Sequence, residues 1–301
     1  MICMKNILIT GANSFIGRNL IDMLPSEYNV LAVKRASSKC TWKRTTKTID
    51  ISMEQYHSDI SRIDDIDCLV HFAWQGTRGF ARNDEAMQNY NLECSKQLIG
   101  QALDKGCKKV VLAGSQAEYG PHVGMITEDC ACLPNTEYGK AKLKLFNWCT
   151  QLCVQYGAVC IEPRFFSLYG PGDYEYSLIM SSVKKMLSNE ECNFTQSIQK
   201  WDFLYIDDAA RALKELCVID CAAGAYNFGS GDCRILKDYI EEMKLVLGSR
   251  SKLNYGSIPY SHEGMVSINP CIDKIKQETN WCPSVSFAEG IECIKKSINR
   301  L

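Results

Sequence analysis

Short apolar runs alternate with longer amphipathic stretches through the first 165 residues. Runs at 7–9, 30–33, 48–51, 68–72, 110–113 and 159–163 have the length and apolar content of buried strands. Between them, 15–24, 84–105 and 138–156 carry helical spacing; in the second, Met87, Tyr90, Cys94, Leu98 and Ala102 form one stripe. This alternation predicts an α/β fold, a doubly wound parallel sheet with helices on both faces. After 165 the pattern changes. Tyr169-Gly-Pro-Gly172 signals a loop, helical stretches fall at 176–188 and 234–247, strand pieces at 203–206 and 225–228, and 251–270 is loop-rich. The expected plan is one unit from 1–165, rejoined by roughly 203–228, and a smaller C-terminal α+β lobe from 166–202 and 229–301.

The first strand runs directly into Thr10-Gly-Ala-Asn-Ser-Phe-Ile-Gly17. A strand that turns tightly into a helix aims backbone N–H groups and the positive end of the helix dipole at one point, which favours a pyrophosphate. Gly11 would supply the turn and Gly17 the close approach of helix to sheet. Ser14 stands where a third glycine is usual; it is small, and its hydroxyl could bond a phosphate oxygen. The second strand ends in Lys34-Arg35. A basic residue there suits the 2′-phosphate of NADP, whereas an acidic one would favour NAD. NADP(H) is therefore the expected cofactor, with NAD(H) the alternative. Asp50, at the end of the third strand, could accept the adenine amino group. An ordinary glycine turn and solvated surface charges are the plainer explanations of these features.

Composition narrows the picture. The 301 residues are 46% hydrophobic and 23% charged, with net charge −1, values ordinary for a globular protein. No basic tract points to nucleic acid, and no apolar run approaches a membrane span. The N-terminus leads into a strand without a signal segment. Seventeen cysteines are scattered without a Cys-x-x-Cys framework, so no metal site is expected; reduced thiols packing as small hydrophobes fit a cytoplasmic protein.

Tyr138-Gly-Lys-Ala-Lys142 opens the third helical stretch. Residues four apart share a helix face. A lysine ammonium beside a phenol is expected to pull its pKa down toward a useful acid/base range. Tyr138 could then pass a proton to or from an oxygen while hydride moves at the attached carbon, and Ser115, at a strand end, could hold that oxygen. Alone, the Tyr–Lys spacing is as readily an exposed pair on a surface helix. The upstream glycine turn favours the catalytic reading.

With these motifs the chain resembles the extended short-chain dehydrogenases/reductases of the NAD-dependent epimerase/dehydratase family, which act on nucleotide sugars. The resemblance also covers His71-Phe-Ala-Trp74, Asn91-Leu-Glu-Cys-Ser95, Gly114-Ser-Gln-Ala-Glu-Tyr-Gly120, Arg164-Phe-Phe-Ser-Leu-Tyr-Gly-Pro-Gly-Asp173, Trp201-Asp-Phe-Leu-Tyr-Ile-Asp-Asp208, Tyr226-Asn-Phe-Gly-Ser-Gly231 and Trp281-Cys-Pro283. It implies a Rossmann domain, a homodimer through the helices at 84–105 and 138–156, and a nucleotide-sugar substrate. It implies cofactor contacts from Asn13, Phe15, Ile16, Ile51, Phe72, Ala73, Trp74, Asn91 and Phe165, with Tyr138 and Lys142 themselves. Substrate contacts would come from Gln75, Gln116, Ser167, Lys200 and Trp201. The departures are informative. Family dehydratases carry Asp-Glu where this chain has Gln116 and Ala117, epimerases usually have Asn at Ser167, and Trp201 replaces an arginine that often grips the diphosphate. The motifs most resemble sugar-nucleotide 4-ketoreductases, implying NADPH-dependent reduction of a 4-keto-6-deoxy sugar. A 4-epimerase with tightly held NAD and a non-catalytic dinucleotide sensor are the alternatives.

Overall fold

A computed structural model describes residues 6–35, 40, 42–43, 47–50, 63, 65–260 and 264–300. Seven parallel strands form the central sheet: β1 (Asn6–Thr10), β2 (Asn29–Lys34), β3 (Lys47–Asp50), β4 (Cys68–His71), β5 (Lys109–Leu112), β6 (Val159–Phe165) and β7 (Gly224–Phe228). Their order is β7-β6-β5-β4-β1-β2-β3, and the two-residue strand Gly114–Ser115 also pairs with β6. The order reverses at β1, which places a crevice at the carboxyl ends of β1 and β4.

Period-two alternation sends neighbouring side chains to opposite faces. Ile7, Ile9, Cys68, Val70 and Val111 join one core with helices α1 (Phe15–Met23) and α5 (Ile206–Val218). Leu8, Leu69, Val110 and Leu112 join the other with α2 (Glu85–Asp104) and α3 (Glu137–Tyr156). Each such side chain contributes about 1.5–3 kcal/mol by leaving water. A third core fills the lobe, where α4 (Leu178–Leu187), α6 (Leu236–Leu247) and α8 (Phe287–Ile298) surround Tyr169, Phe203, Tyr239 and Phe287.

The observed elements differ from the expected pattern in three places. Leu204–Tyr205 pairs with Leu168–Tyr169 in a separate small sheet and does not join the central one. Helices α5, α7 (Asp273–Thr279) and α8 have no counterpart in that pattern. The start of α5 has no side-chain cap to mark it. A Ser286–Glu289 capping box does mark α8. The chain also returns to the sheet near its end: Ile272, Ile275 and Trp281 pack in the α1/α5 core, and Trp281 stacks on Phe228 at 6.4 Å.

All cysteines among the described residues are free thiols. The fold gathers three that are scattered in sequence, placing the sulfur atoms of Cys149, Cys153 and Cys160 within 4.8 Å of one another, inside the α2/α3 core. Among the described residues no helix is long and apolar enough to cross a membrane.

Candidate active site

Gly11 turns the chain out of β1 with φ +64°. A Cβ there would stand 2.8 Å from Ala73 N and 2.9 Å from the Phe72 carbonyl carbon, so only glycine fits. At Gly17 a Cβ would meet Gly11 O at 2.5 Å. Ser14 caps α1, its Oγ accepting from Gly17 N at 3.0 Å. The serine in the middle of the motif thus first serves the helix, and that bond leaves its hydroxyl proton to donate.

A cavity of about 510 Å³ opens against this turn, lined by Gly11, Asn13, Ser14, Val33, Lys34, Arg35 and the segment Phe72–Gly76. Glycine cradle, helix N-terminus and basic strand end fit a nicotinamide dinucleotide. Gly11, Asn13 and Ser14 would hold its pyrophosphate, and Lys34 and Arg35 its adenosine end. Phe15 and Ile16, at the start of α1, pack against the lobe core, and Ile16 also against the α1/α5 core. Asp50 stands beside Lys34 in strand register; Ile51 lies outside the described residues. Asn91 is spent on Gln75, its Oδ1 accepting from Gln75 N at 3.1 Å and its Nδ2 donating to Gln75 O at 2.9 Å. Phe165 meets Phe228 edge-on at 5.1 Å.

Thr136 caps α3 by accepting from Gly139 N. A Cβ on Gly139 would lie 2.4 Å from Ala117 O, so this glycine lets the helix start press against the turn Gln116–Glu118 that follows Ser115. Tyr138 and Lys142 are both buried on one helix face. The Lys142 ammonium donates to Ala113 O at 2.8 Å and lies 3.8 Å from the centre of the Trp74 ring. Trp74 lines the cavity and meets Tyr138 edge-on at 6.3 Å; Arg82 lies over the Tyr138 ring at 5.1 Å.

Burial reverses the expected effect on Tyr138. Desolvation pushes its pKa up to about 12, against a hydrogen bond with the Ser115 side chain that favours the phenolate. Lys142 is itself moved, down to about 8 by burial, with the charges of Glu118 and Glu162 working to raise it. The phenol is therefore held protonated at neutral pH.

The proposed substrate residues are spread between sheet and lobe. Gln116 sits in the turn after Ser115. Ser167 follows β6, its carbonyl accepting from Leu204 N. Lys200 is exposed and Trp201 pairs with Arg234. Trp201 Nε1 is buried without a protein partner.

Two features were not apparent in the sequence. Gln88, 1% exposed, accepts from Trp74 Nε1 at 2.7 Å and donates to Gly76 O and Ala81 O at 3.0 and 2.9 Å. It fastens the segment that carries both Trp74 and Arg82. Behind Ser115, Glu118, Glu162 and Arg164 form a buried ionic cluster.

The family model described as NAD dependent epimerase/dehydratase family matches residues 7–229, the sheet and its crevice together. The chain belongs to this family. It is an enzyme of the extended short-chain dehydrogenase/reductase type; Trp74 lines the cavity at the glycine turn and has the Lys142 ammonium over its ring. The chain is 26% identical over 264 residues to dTDP-6-deoxy-L-talose 4-dehydrogenase (NAD(+)) of Aggregatibacter actinomycetemcomitans, covering 84% of this chain and 95% of that one. It is 27% identical to CDP-abequose synthase of Salmonella muenchen, covering 96% of each. The solved UDP-glucose 4-epimerase of Thermotoga maritima, with UDP-glucose, shares the fold at TM-score 0.88 and 23% identity, covering 98% of this chain and 99% of its own.

Proposed function

We propose that this enzyme reduces the 4-keto group of a nucleotide-linked 4-keto-6-deoxy sugar, with NADPH as reductant. The observation that carries this reading is the placement of Tyr138, a buried phenol hydrogen-bonded to Ser115 with Lys142 one helical turn along the same face. Reducing a ketone needs a proton donor at its oxygen; oxidising an alcohol needs a base. A bound nicotinamide dinucleotide supplies the hydride. Ser115 would orient the ketone oxygen, Tyr138 would protonate it as negative charge develops, and the Lys142 ammonium would stabilise the resulting phenolate. Gln116 and Ala117 offer no acid–base pair for eliminating water. The relative named as a dTDP-6-deoxy-L-talose 4-dehydrogenase supports chemistry at position 4 of a 6-deoxy sugar. Its NAD(+) does not match the Lys34–Arg35 pair, on which the NADPH preference rests. We further read the molecule as a cytoplasmic homodimer joined through α2 and α3.

The decisive experiment offers dTDP- and CDP-linked 4-keto-6-deoxyglucose with NADPH and follows cofactor and sugar together. One NADPH consumed per sugar reduced supports the reading; sugar interconversion without net consumption identifies a 4-epimerase. Tyr138→Phe should lower kcat by about 100-fold or more while NADPH still binds. Unaltered turnover in that variant overturns the role of Tyr138.

A further inference from the structure

The ionic cluster behind Ser115 has no part in the chemistry described so far. Glu118, Glu162 and Arg164 are 0, 1 and 3% exposed. Arg164 Nε lies 3.2 Å from Glu118 Oε2 and 2.8 Å from Glu162 Oε2. Glu118 Oε1 accepts from Ser115 N at 2.7 Å. The cluster presses on the backbone beside the serine: a Cβ on Gly114 would stand 2.6 Å from Glu162 Cγ. Burying three ionisable groups is costly, and apolar side chains of similar volume commonly fill such space at equal or better stability. Core filling therefore does not account for it.

Two carboxyls face one guanidinium: the Arg164 Nε–H donates to Glu162 Oε2 and lies beside Glu118 Oε2. Burial, and after it the charge of Glu118, pushes the Glu162 carboxyl well up. Burial also raises Glu118, but Arg164, a hydrogen bond from Glu162 and the Ser115 N–H all favour its ionised form. Glu118 is the carboxyl that touches Ser115. The charged groups acting on Lys142 are Glu118 from the turn and Glu162 from β6; Tyr138 from α3 and His71 from β4 lie near it. His71 is buried and neutral, so support for the ammonium comes first from Glu118 and then from Glu162.

We infer that Glu118 is a positioning residue: its carboxylate, beside Arg164, fixes Ser115 through the backbone N–H and supplies negative charge that sustains the Lys142 ammonium. This rests on the reading that Ser115, Tyr138 and Lys142 carry the reaction. The test compares Glu118→Gln with Glu162→Gln. Both conserve volume and remove one carboxyl from the cluster, but only Glu118 holds the Ser115 backbone N–H. In Glu118→Gln, kcat should fall about tenfold or more, as small misplacements at a reacting centre do, with KM values near wild type. Because turnover needs Lys142 charged, the alkaline fall in rate should move to lower pH in this variant. Glu162→Gln, which leaves the Ser115 contact in place, should keep kcat and move the alkaline limb less.

A readout without substrate accompanies these. In apo protein the Ser115 amide should resonate far downfield in wild type and Glu162→Gln, and move upfield in Glu118→Gln, where a neutral amide oxygen replaces the carboxylate. Should Glu118→Gln not fold, Glu118→Asp draws the carboxylate back from Ser115 and carries the same comparison. Variants indistinguishable in kcat, pH profile and Ser115 amide overturn the inference. If wild type reduces no nucleotide sugar, the proposed function fails while the amide comparison still decides the placement of Glu118.

Discussion

His71 shows how completely neighbouring groups can decide a protonation state. Ser95 Oγ gives its proton to Asn91 O at 2.7 Å, so it accepts from His71 Nε2 at 2.8 Å. His71 Nδ1, 2.7 Å from Thr10 Oγ1, is then the acceptor of the threonine proton. A second ring proton has no place, and burial, with the Lys142 charge behind it, lowers the His71 pKa to about 3. The unfolded chain takes up this proton near pH 6.5 while the folded one does not. Protonation favours the unfolded state, so stability should fall as pH drops from about 6.5 toward 3, by at most about 1.4 kcal/mol per unit. Urea melts across that range should show this slope in wild type and its loss in His71→Gln. Lys34 and Arg35 make a second prediction at this scale. Both line the cavity beside Gly11 and Asn13. Arg35→Ala should raise KM for NADPH about tenfold, leaving NADH little changed, since charge-assisted bonds to phosphate are the stronger kind. Equal effects on both cofactors would remove the basis for the NADPH preference.

Between single residues and the whole fold, the site depends on elements pinned by buried polar side chains. Gln88 on α2 uses three hydrogen bonds to hold Trp74, Gly76 and Ala81. Gln88→Leu should strand these buried partners, costing about 1–3 kcal/mol. It should also lower kcat as Trp74 and Arg82 lose their fixed places around Tyr138. Thermal melts and steady-state kinetics check both effects. The late family landmarks prove to be staples of the same kind. Asp202 accepts from Ser230 N and Gly231 N at 2.6 and 2.8 Å, tying the second landmark to the first. Asp208 accepts from Ser284 N and Val285 N, each at 2.9 Å, and its carbonyl takes Trp281 Nε1 at 3.0 Å. Sequence revealed the glycine turn and the Tyr138–Lys142 pair because each is local: a tight turn and one helical step fix the neighbours. It gave no sign of Gln88 with Trp74, or of Glu118 with Arg164. Those partners meet only through the packing of α2 on its preceding loop and of β6 beside β5. The expected lowering of the Tyr138 pKa failed for the same reason, since desolvation depends on what tertiary structure buries.

For the molecule as a whole, the alternation of strands and helices through residue 165 was enough to give the doubly wound sheet, because buried parallel strands and their covering helices carry distinct periodicities. The lobe was less legible: its core of Tyr169, Phe203, Tyr239 and Phe287 draws on segments far apart in the chain. On the opposite side, α2 and α3 leave Tyr90 and Val154 exposed, at 45 and 76%. A dimer through these helices should run at about twice the 33.9 kDa chain mass in light scattering. Val154→Glu should shift it toward monomer, and a wild-type monomer would exclude that arrangement. The stacking of Trp281 on Phe228 reaches further than packing. During synthesis, the face of the sheet beneath Trp281 stays uncovered until residue 281 has left the ribosome, long after the last strand of the sheet has emerged. The nucleotide-binding half therefore cannot mature ahead of the remainder, and a message truncated shortly before that tryptophan codon would yield a sticky product and no functional fragment.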